Sequence, residues 1–206
     1  MPEICGIKYK RTSYCFRPDF SSELLMESLE LRPGATLLDM GSGTGVIGIY
    51  AAKRGARVLA VDISSEAVDQ TRLNSGKNSV ELRVRKGDLF SDVKGRFDMV
   101  AFNAPFTRLT VRNLEDRRMH DRTGASRIGI VSRFLSRLSK HLNGSGVGYL
   151  VLSSRGPVTI FERIASRSHL KWSICREYDR SDETVYVVRL TPRSGAAGAR
   201  RTPPLP

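Results

Sequence analysis

The feature of this sequence that most constrains its fold is a glycine-rich turn, G-S-G-T-G at positions 41–45, which directly follows an apolar run. The run L-L-D-M at 37–40 is typical of a buried strand, and residues 46–54 are typical of a helix. A strand, a tight glycine turn and a helix form the first unit of a doubly wound α/β domain, whose ligand binds at the carboxyl ends of the strands. The sequence therefore predicts an α/β fold with a ligand close to the backbone of this turn.

The spacing of the glycines differs from the dinucleotide fingerprint G-x-G-x-x-G, because position 46 is Val46. An acid, Asp39, instead stands two residues before the first glycine. A carboxylate at this place suits a ligand that carries positive charge, whereas it would repel a pyrophosphate. Three glycines can also form a simple tight turn with no ligand, so the later strands have to decide between the two interpretations.

Two later predicted strands also have an acidic residue at or just beyond their ends. The predicted strand at 57–62 ends in Asp62, 17 residues after Gly45, near the spacing of roughly 20 residues typical of a carboxylate that binds ribose hydroxyls. A third predicted strand, at 80–85, is followed by Gly87-Asp88-Leu89, for which an ordinary Gly-Asp turn is the alternative. The spacing of Asp62 favours a nucleoside ligand.

The pattern D-x-G-x-G-x-G at 39–45 resembles motif I of class I S-adenosylmethionine-dependent methyltransferases, in which the acid faces the ammonium of the methionine moiety. The resemblance implies S-adenosylmethionine as cofactor. It also implies that Asp88 pairs with the adenine amino group and that Leu89 lies against the ring. The implied cofactor-binding residues are Asp39, Gly41, Ser42, Gly43, Gly45, Asp62, Ile63, Asp88, Leu89 and Asn103.

The segment N-A-P-F at 103–106, after a predicted strand at 97–102, resembles the N-P-P-Y or N-P-P-F motif of methyltransferases that act on a planar nitrogen. The side-chain oxygen of Asn103 and the backbone carbonyl of Ala104 can accept the two hydrogens of an amide or aryl amine, and Phe106 can stack on the planar group. The resemblance therefore implies a catalytic set of Asn103, Ala104, Pro105 and Phe106. Alanine replaces the first proline of the motif and restrains the backbone less, while a turn followed by proline is the alternative interpretation.

Segments outside these motifs resemble the HemK/PrmC group of protein-glutamine N-methyltransferases, which modify peptide-chain release factors. They are R-P-D at 17–19 with E-L-L at 23–25, Thr123-Gly124, and L-N-G-S-G-V-G-Y-L-V at 142–151. The resemblance implies methylation of a glutamine side chain in a protein such as a release factor. The short form is closer to archaeal and eukaryotic-type members, some of which require a small zinc-containing activator subunit. An RNA base amine (adenine N6 or guanine N2), a small molecule and a non-catalytic cofactor-binding scaffold are the alternatives.

The chain is strongly basic, with 34 Lys and Arg against 21 Asp and Glu and a net charge of +13. This excess favours a polyanionic partner such as RNA or the translation machinery, although a basic surface that only aids solubility explains it equally well. Because the arginine-rich segment 107–137 leaves the N-A-P-F turn directly, we expect its first half to bind substrate. A solvated helix face is the alternative for its later arginines. The predicted substrate-binding residues are Arg108, Arg112, Arg117 and Arg118.

Length and pattern predict one methyltransferase domain at 31–191, preceded by a cap and helix at 1–30 over the ligand end and followed by a disordered tail at 192–206. We expect a mostly parallel, seven-stranded sheet with an antiparallel last strand, a first helix capped by Ser21 or Ser22, and a turn at 143–146. No apolar run approaches the roughly 20 residues of a membrane helix, and the first residues do not resemble a secretory signal. Three cysteines without C-x-x-C spacing and three scattered histidines argue against a disulfide framework or a metal site, which predicts a cytoplasmic location.

Overall fold

A computed structural model describes residues 1–12, 15–104 and 127–193, in which strands and helices alternate along most of the chain. The strands are β1 (Glu3–Ile4), β2 (Ile7–Lys8), β3 (Thr36–Met40), β4 (Arg57–Asp62), β5 (Arg83–Lys86), β6 (Phe97–Asn103), β7 (Leu142–Ser153), β8 (Leu170–Asp179) and β9 (Thr184–Pro192). The helices are α1 (Phe20–Ser28), α2 (Val46–Ala52), α3 (Ser65–Lys77), α4 (Arg127–Leu138) and α5 (Val158–Arg167), and a short 3₁₀ turn, Ser139–His141, precedes β7.

Seven strands form one sheet in the order β5-β4-β3-β6-β7-β9-β8, and β1 and β2 form a separate antiparallel hairpin. The pairs from β5 to β7 are parallel, whereas β9 runs antiparallel to both β7 and β8. The predicted doubly wound α/β architecture with an antiparallel last strand is confirmed. Because β3 and β6 are neighbours near the centre of the sheet, the glycine turn after β3 and the N-A segment after β6 lie at the same edge.

The alternation of side chains along the central strands builds a hydrophobic core on each face of the sheet. Leu37 of β3 packs in the core that contains residues of α1 and α2, whereas its neighbour Leu38 packs in the core that contains residues of α4 and α5. Helix α3 contacts α2, β4 and β5. Buried parallel strands covered on both faces explain the near-continuous apolar runs in the sequence.

Three predicted boundaries differ from the structure. The N-cap of α1 is Asp19, whose carboxylate accepts a hydrogen bond from the Ser21 N–H, so Ser21 and Ser22 lie inside the first turn and not at the cap. The predicted turn at 143–146 is instead a bulge within β7, where Asn143 is held by a 2.8 Å bond to Asp98. Strand β5 begins at Arg83, and the preceding Val80 and Leu82 are partly buried against the core that contains residues of α2.

Pro192 ends β9 and Arg193 follows it, so the first two residues of the predicted tail are described, whereas positions 13–14, 105–126 and 194–206 lie outside the described residues. In the part of the chain that the structure describes, no helix is long and apolar enough to cross a membrane.

Candidate functional site

Backbone hydrogen bonds connect the glycine turn to the end of β4. The N–H groups of Gly41 and Ser42 donate to the Val61 carbonyl at 2.8 and 3.1 Å. Gly41 has φ +64°, and a Cβ on this residue would lie 3.1 Å from the ring of Phe102. The turn therefore requires glycine at position 41 both for its left-handed backbone and for the space that the Phe102 ring occupies.

Helix α3 supports the turn from behind. Gly45, the N-cap of α2, has φ +79°, and a Cβ there would lie 2.8 Å from Thr71 Cγ2. The Thr71 hydroxyl donates to the Gly43 carbonyl at 3.2 Å and lies 3.0 Å from the hydroxyl of Ser42. The Asn74 amide donates at 2.8 Å to the Thr44 carbonyl. Sequence patterns did not identify Thr71 or Asn74, because polar residues on a helix usually face solvent.

Asp39 is fully buried beside the turn, on the face of β3 that packs against α2. Its Oδ2 accepts a 2.9 Å hydrogen bond from the Gly48 N–H, while Oδ1 has no hydrogen-bond partner among the described residues. Burial raises the pKa of Asp39, the hydrogen bond from the Gly48 N–H lowers it, and the charge of Asp62 raises it. The net result is a pKa of about 7. An acid with an unpartnered buried oxygen fits a ligand that brings a hydrogen-bond donor or a positive charge.

Asp62 closes β4 and is bound to the turn through its carboxylate. Oδ2 accepts from the Gly43 N–H and Oδ1 accepts from the Ser64 N–H, both at 2.9 Å. Ser64 is also the N-cap of α3, and its hydroxyl accepts a hydrogen bond from the Ala67 N–H. Ile63, directly after the strand, is partly buried.

The residues after β5 make a contact that the sequence did not predict. The carboxylate of Asp88 forms an ion pair with the Arg133 guanidinium of α4 at 2.5 Å, and both side chains are 39% exposed. Leu89 beside it is buried and has φ +51°, which is unusual for leucine. The Gly87 N–H donates to the Asp62 carbonyl at 2.9 Å, so this segment is joined to the end of β4.

Asn103 lies at the end of β6 and contacts the first turn of α1. Its amide nitrogen is 3.1 Å from the Ser21 hydroxyl oxygen and 3.2 Å from that of Ser22. Ala104, which follows it, is buried. Register pairs Met40 with Phe102, so Asn103, the last residue of β6, lies beside the place where the glycine turn leaves β3.

The structure thus places Asp39, the turn 41–45, Asp62 and Asn103 at one edge of the sheet, and Asp88 follows the neighbouring strand. The remaining predicted residues lie outside the described part of the chain, namely Pro105, Phe106, Arg108, Arg112, Arg117 and Arg118. The described residues fit S-adenosylmethionine: Asp39, with its buried oxygen, would hold the ammonium, Asp62 would hold the ribose hydroxyls, and the glycines of the turn have no side chains to block a ligand.

Comparison with known protein sequences identifies related methyltransferases. A family model described as the methyltransferase small domain matches residues 15–159. A Methanocaldococcus jannaschii protein with the provisional name protein N5-glutamine methyltransferase is 33% identical over 155 residues, which make up 74% of this chain and 79% of that protein. A ribosomal RNA small subunit methyltransferase C of Alcanivorax borkumensis is also 33% identical, over 144 residues that are 68% of this chain but 40% of that enzyme. The chain therefore spans less than half of this second relative.

Solved structures with the same fold include two methyltransferases. One is the Mtq2–Trm112 complex of E. cuniculi, described as responsible for methylation of the eRF1 translation termination factor. It has a TM-score of 0.68 and 20% identity, with coverage of 86% of this chain and 98% of that one. A methyltransferase from Pyrococcus furiosus has a TM-score of 0.73 at 16% identity, with coverage of 92% and 91%. At these identities the likeness establishes the fold alone.

Proposed function

The chain belongs to the methyltransferase small domain family, and on this premise we propose that it methylates a planar nitrogen, the side-chain amide of a glutamine in a protein such as a peptide-chain release factor. The predicted enzyme class and cofactor are confirmed: it is an S-adenosylmethionine-dependent methyltransferase. The acceptor is the proposal. The observation that carries it is the position of Asn103, which ends β6, and of Ala104, which follows it, beside the glycine turn at the carboxyl end of β3.

An amide nitrogen is a poor nucleophile, because its lone pair is delocalised into the carbonyl. The protein therefore contributes mainly by orientation, which can lower a barrier by about 7 to 11 kcal/mol. When bound, S-adenosylmethionine supplies the electrophilic methyl group. In the proposal, Asn103 Oδ1 and the Ala104 carbonyl accept the two N–H hydrogens of the acceptor, which fixes the nitrogen in the plane between them. Phe106 is proposed to stack on the planar group, and Arg108, Arg112, Arg117 and Arg118 to bind the surrounding substrate.

Protein glutamine is favoured over other planar nitrogens by the relatives. The Methanocaldococcus jannaschii relative, matched over most of its length, is named for N5-glutamine, and the E. cuniculi complex is described as acting on a termination factor. That complex also contains a second protein, which supports the proposal that a small activator subunit joins this chain. A cytoplasmic location stays a prediction from the cysteine pattern.

An exocyclic amine of an RNA base is the second candidate. The net charge of +13 favours it, since basic surfaces bind the phosphate backbone, and one relative is a ribosomal RNA methyltransferase. The chemistry required of Asn103 and Ala104 would be the same.

Transfer of labelled methyl from S-adenosylmethionine into a cell extract tests the proposal. The labelled product is digested separately with protease and with ribonuclease. We expect protease to release the label and mass spectrometry to locate it on a glutamine. Release by ribonuclease would instead establish the RNA candidate, and label on neither polymer would overturn both.

Asn103→Ala is the decisive variant, because it removes the acceptor oxygen and leaves the turn 41–45 intact. We expect loss of methyl transfer while S-adenosylmethionine still binds in calorimetry. Asn143→Ala is the matched control, since this asparagine is also partly buried and hydrogen-bonded but lies beside the opposite end of β6, near Phe97. Retained transfer in Asn103→Ala would remove this residue from the mechanism.

A further inference from the structure

We propose that Ser21 and Ser22, with Asp19 behind them, are positioning residues that fix the orientation of the Asn103 amide in the transfer reaction. This inference rests on the proposed function, because it concerns how Asn103 is aimed at a planar nitrogen. The three residues belong to the start of α1 and lie more than 80 positions before Asn103 in the chain, which makes the contact a product of the fold.

The proton of the Ser21 hydroxyl determines the direction of the hydrogen bonds. Ser21 Oγ lies 2.6 Å from Asp19 Oδ1, and an ionised carboxylate only accepts hydrogen bonds. The single hydroxyl proton therefore belongs to the bond with Asp19. A hydrogen bond from Ser21 Oγ to Asn103 Oδ1 would need the same proton, and its 3.4 Å distance is longer than the 2.6 Å distance to Asp19. Ser21 Oγ thus acts as an acceptor toward Asn103.

Both hydrogens of the Asn103 amide nitrogen are directed to serine oxygens. The nitrogen donates to Ser21 Oγ at 3.1 Å and to Ser22 Oγ at 3.2 Å. The two serines are 5% and 4% exposed, so water competes little for these contacts. This arrangement keeps Oδ1 as the part of the amide that accepts hydrogen bonds from other groups.

The consequence for methyl transfer concerns the two ends of the amide. An asparagine amide turned by half a rotation would present an NH₂ group, which is a donor and would repel the N–H groups of an amide acceptor. Ser21 opposes that rotation, because a carbonyl oxygen would then face Ser21 Oγ while Asp19 holds the Ser21 proton. The N-terminal segment therefore takes part in the reaction through Asn103, in addition to covering the sheet.

The test uses the double variant Ser21→Ala/Ser22→Ala, both single variants, and Ser28→Ala as the matched control. Ser28 is on the same helix, but its hydroxyl donates to the Leu24 carbonyl within α1. Labelled methyl transfer is measured at saturating S-adenosylmethionine while the amount of the cell extract that supplies the acceptor is varied. This separates the saturating rate from the half-saturating amount of acceptor. Calorimetry with S-adenosylmethionine and urea denaturation report cofactor binding and folding.

We expect the double variant to lose about 100-fold in saturating rate, the effect of misplacing a reacting group by roughly 1 Å. Its half-saturating amount of acceptor and its affinity for S-adenosylmethionine should stay within about threefold of wild type, and each single variant should fall between the two. Ser28→Ala should match wild type. The inference is overturned if the double variant keeps the wild-type rate, or if its loss of rate is matched by loss of cofactor affinity or of folded protein.

The proposed function and this inference fail in different ways. If Asn103→Ala keeps the wild-type rate, the proposed use of Asn103 fails and the serines have nothing to position. If Asn103→Ala loses transfer while the double serine variant does not, the proposed function stands and the positioning role is wrong.

Discussion

Replacing Asp39 with asparagine should change how the free energy of unfolding depends on pH. Burial raises the pKa of Asp39 from 3.8 to about 7 in the folded chain, against the Gly48 N–H bond and with the help of the Asp62 charge. Between these two values the unfolded chain has lost a proton that the folded chain keeps. Stability therefore falls as pH rises through this window, by about 4 kcal/mol in total at about 1.4 kcal/mol per pH unit.

The asparagine side chain preserves the contacts of Asp39 without its titration. Its oxygen can accept the Gly48 N–H, and its NH₂ takes the place of the oxygen that has no hydrogen-bond partner among the described residues. An unpaired buried NH₂ costs about 1 to 3 kcal/mol. This cost does not depend on pH, so it shifts the whole stability curve of the variant without changing its slope.

Urea denaturation followed by circular dichroism, from about pH 4 to about pH 8 without added cofactor, measures the effect. We expect wild type to lose about 4 kcal/mol relative to Asp39→Asn across this range. Asp98→Asn is the control. Burial alone would raise the pKa of Asp98, but hydrogen bonds from Thr36 and Asn143 outweigh it and lower the pKa. The stabilisation from Asp98 is lost only as pH falls below 3.8, so its curve should run parallel to wild type.

Parallel curves for wild type and Asp39→Asn over the same range would refute the reasoning. They would mean that Asp39 is already ionised in the folded chain at low pH, and therefore that another group neutralises its buried oxygen.

Two further substitutions test the turn and the core. Asp62→Ala removes the carboxylate that accepts from the Gly43 N–H and that is predicted to bind the ribose. We expect the affinity for S-adenosylmethionine in calorimetry to fall by about tenfold or more, the effect of losing roughly 1.4 kcal/mol. Unchanged affinity would count against the ribose role. Gly148→Ala would place a Cβ 2.5 Å from Cδ2 of the fully buried Leu138. This overpacking should lower the free energy of unfolding, measured in urea, by about 1 to 3 kcal/mol. A variant as stable as wild type would show that Leu138 can move freely.

Local sequence was sufficient for the elements whose cause is local. Buried parallel strands read as apolar runs, and a left-handed turn between strand and helix requires glycine, so the strand, turn and helix around residues 37–54 were predictable. The Ser64 cap of α3 also has a local cause, since its hydroxyl bonds to a residue only three positions away. The bulge at 143–146 was wrongly predicted as a turn, because Gly and Asn are typical of both and only the contact with Asp98 distinguishes them.

For the candidate site, too, some features have a local cause and others depend on the tertiary structure. The sequence by itself determined the glycine turn, the acids that follow successive strands and the asparagine after β6, because parallel strands bring their carboxyl ends to one edge of the sheet. Only the tertiary structure decided what each polar group contacts. The tertiary structure buries Asp39 and thereby raises its pKa. It also pairs Asp88 with an arginine 45 positions away and brings the Asn103 amide into contact with serines of the first helix. Burial and hydrogen bonding depend on segments distant in sequence, which no local pattern encodes.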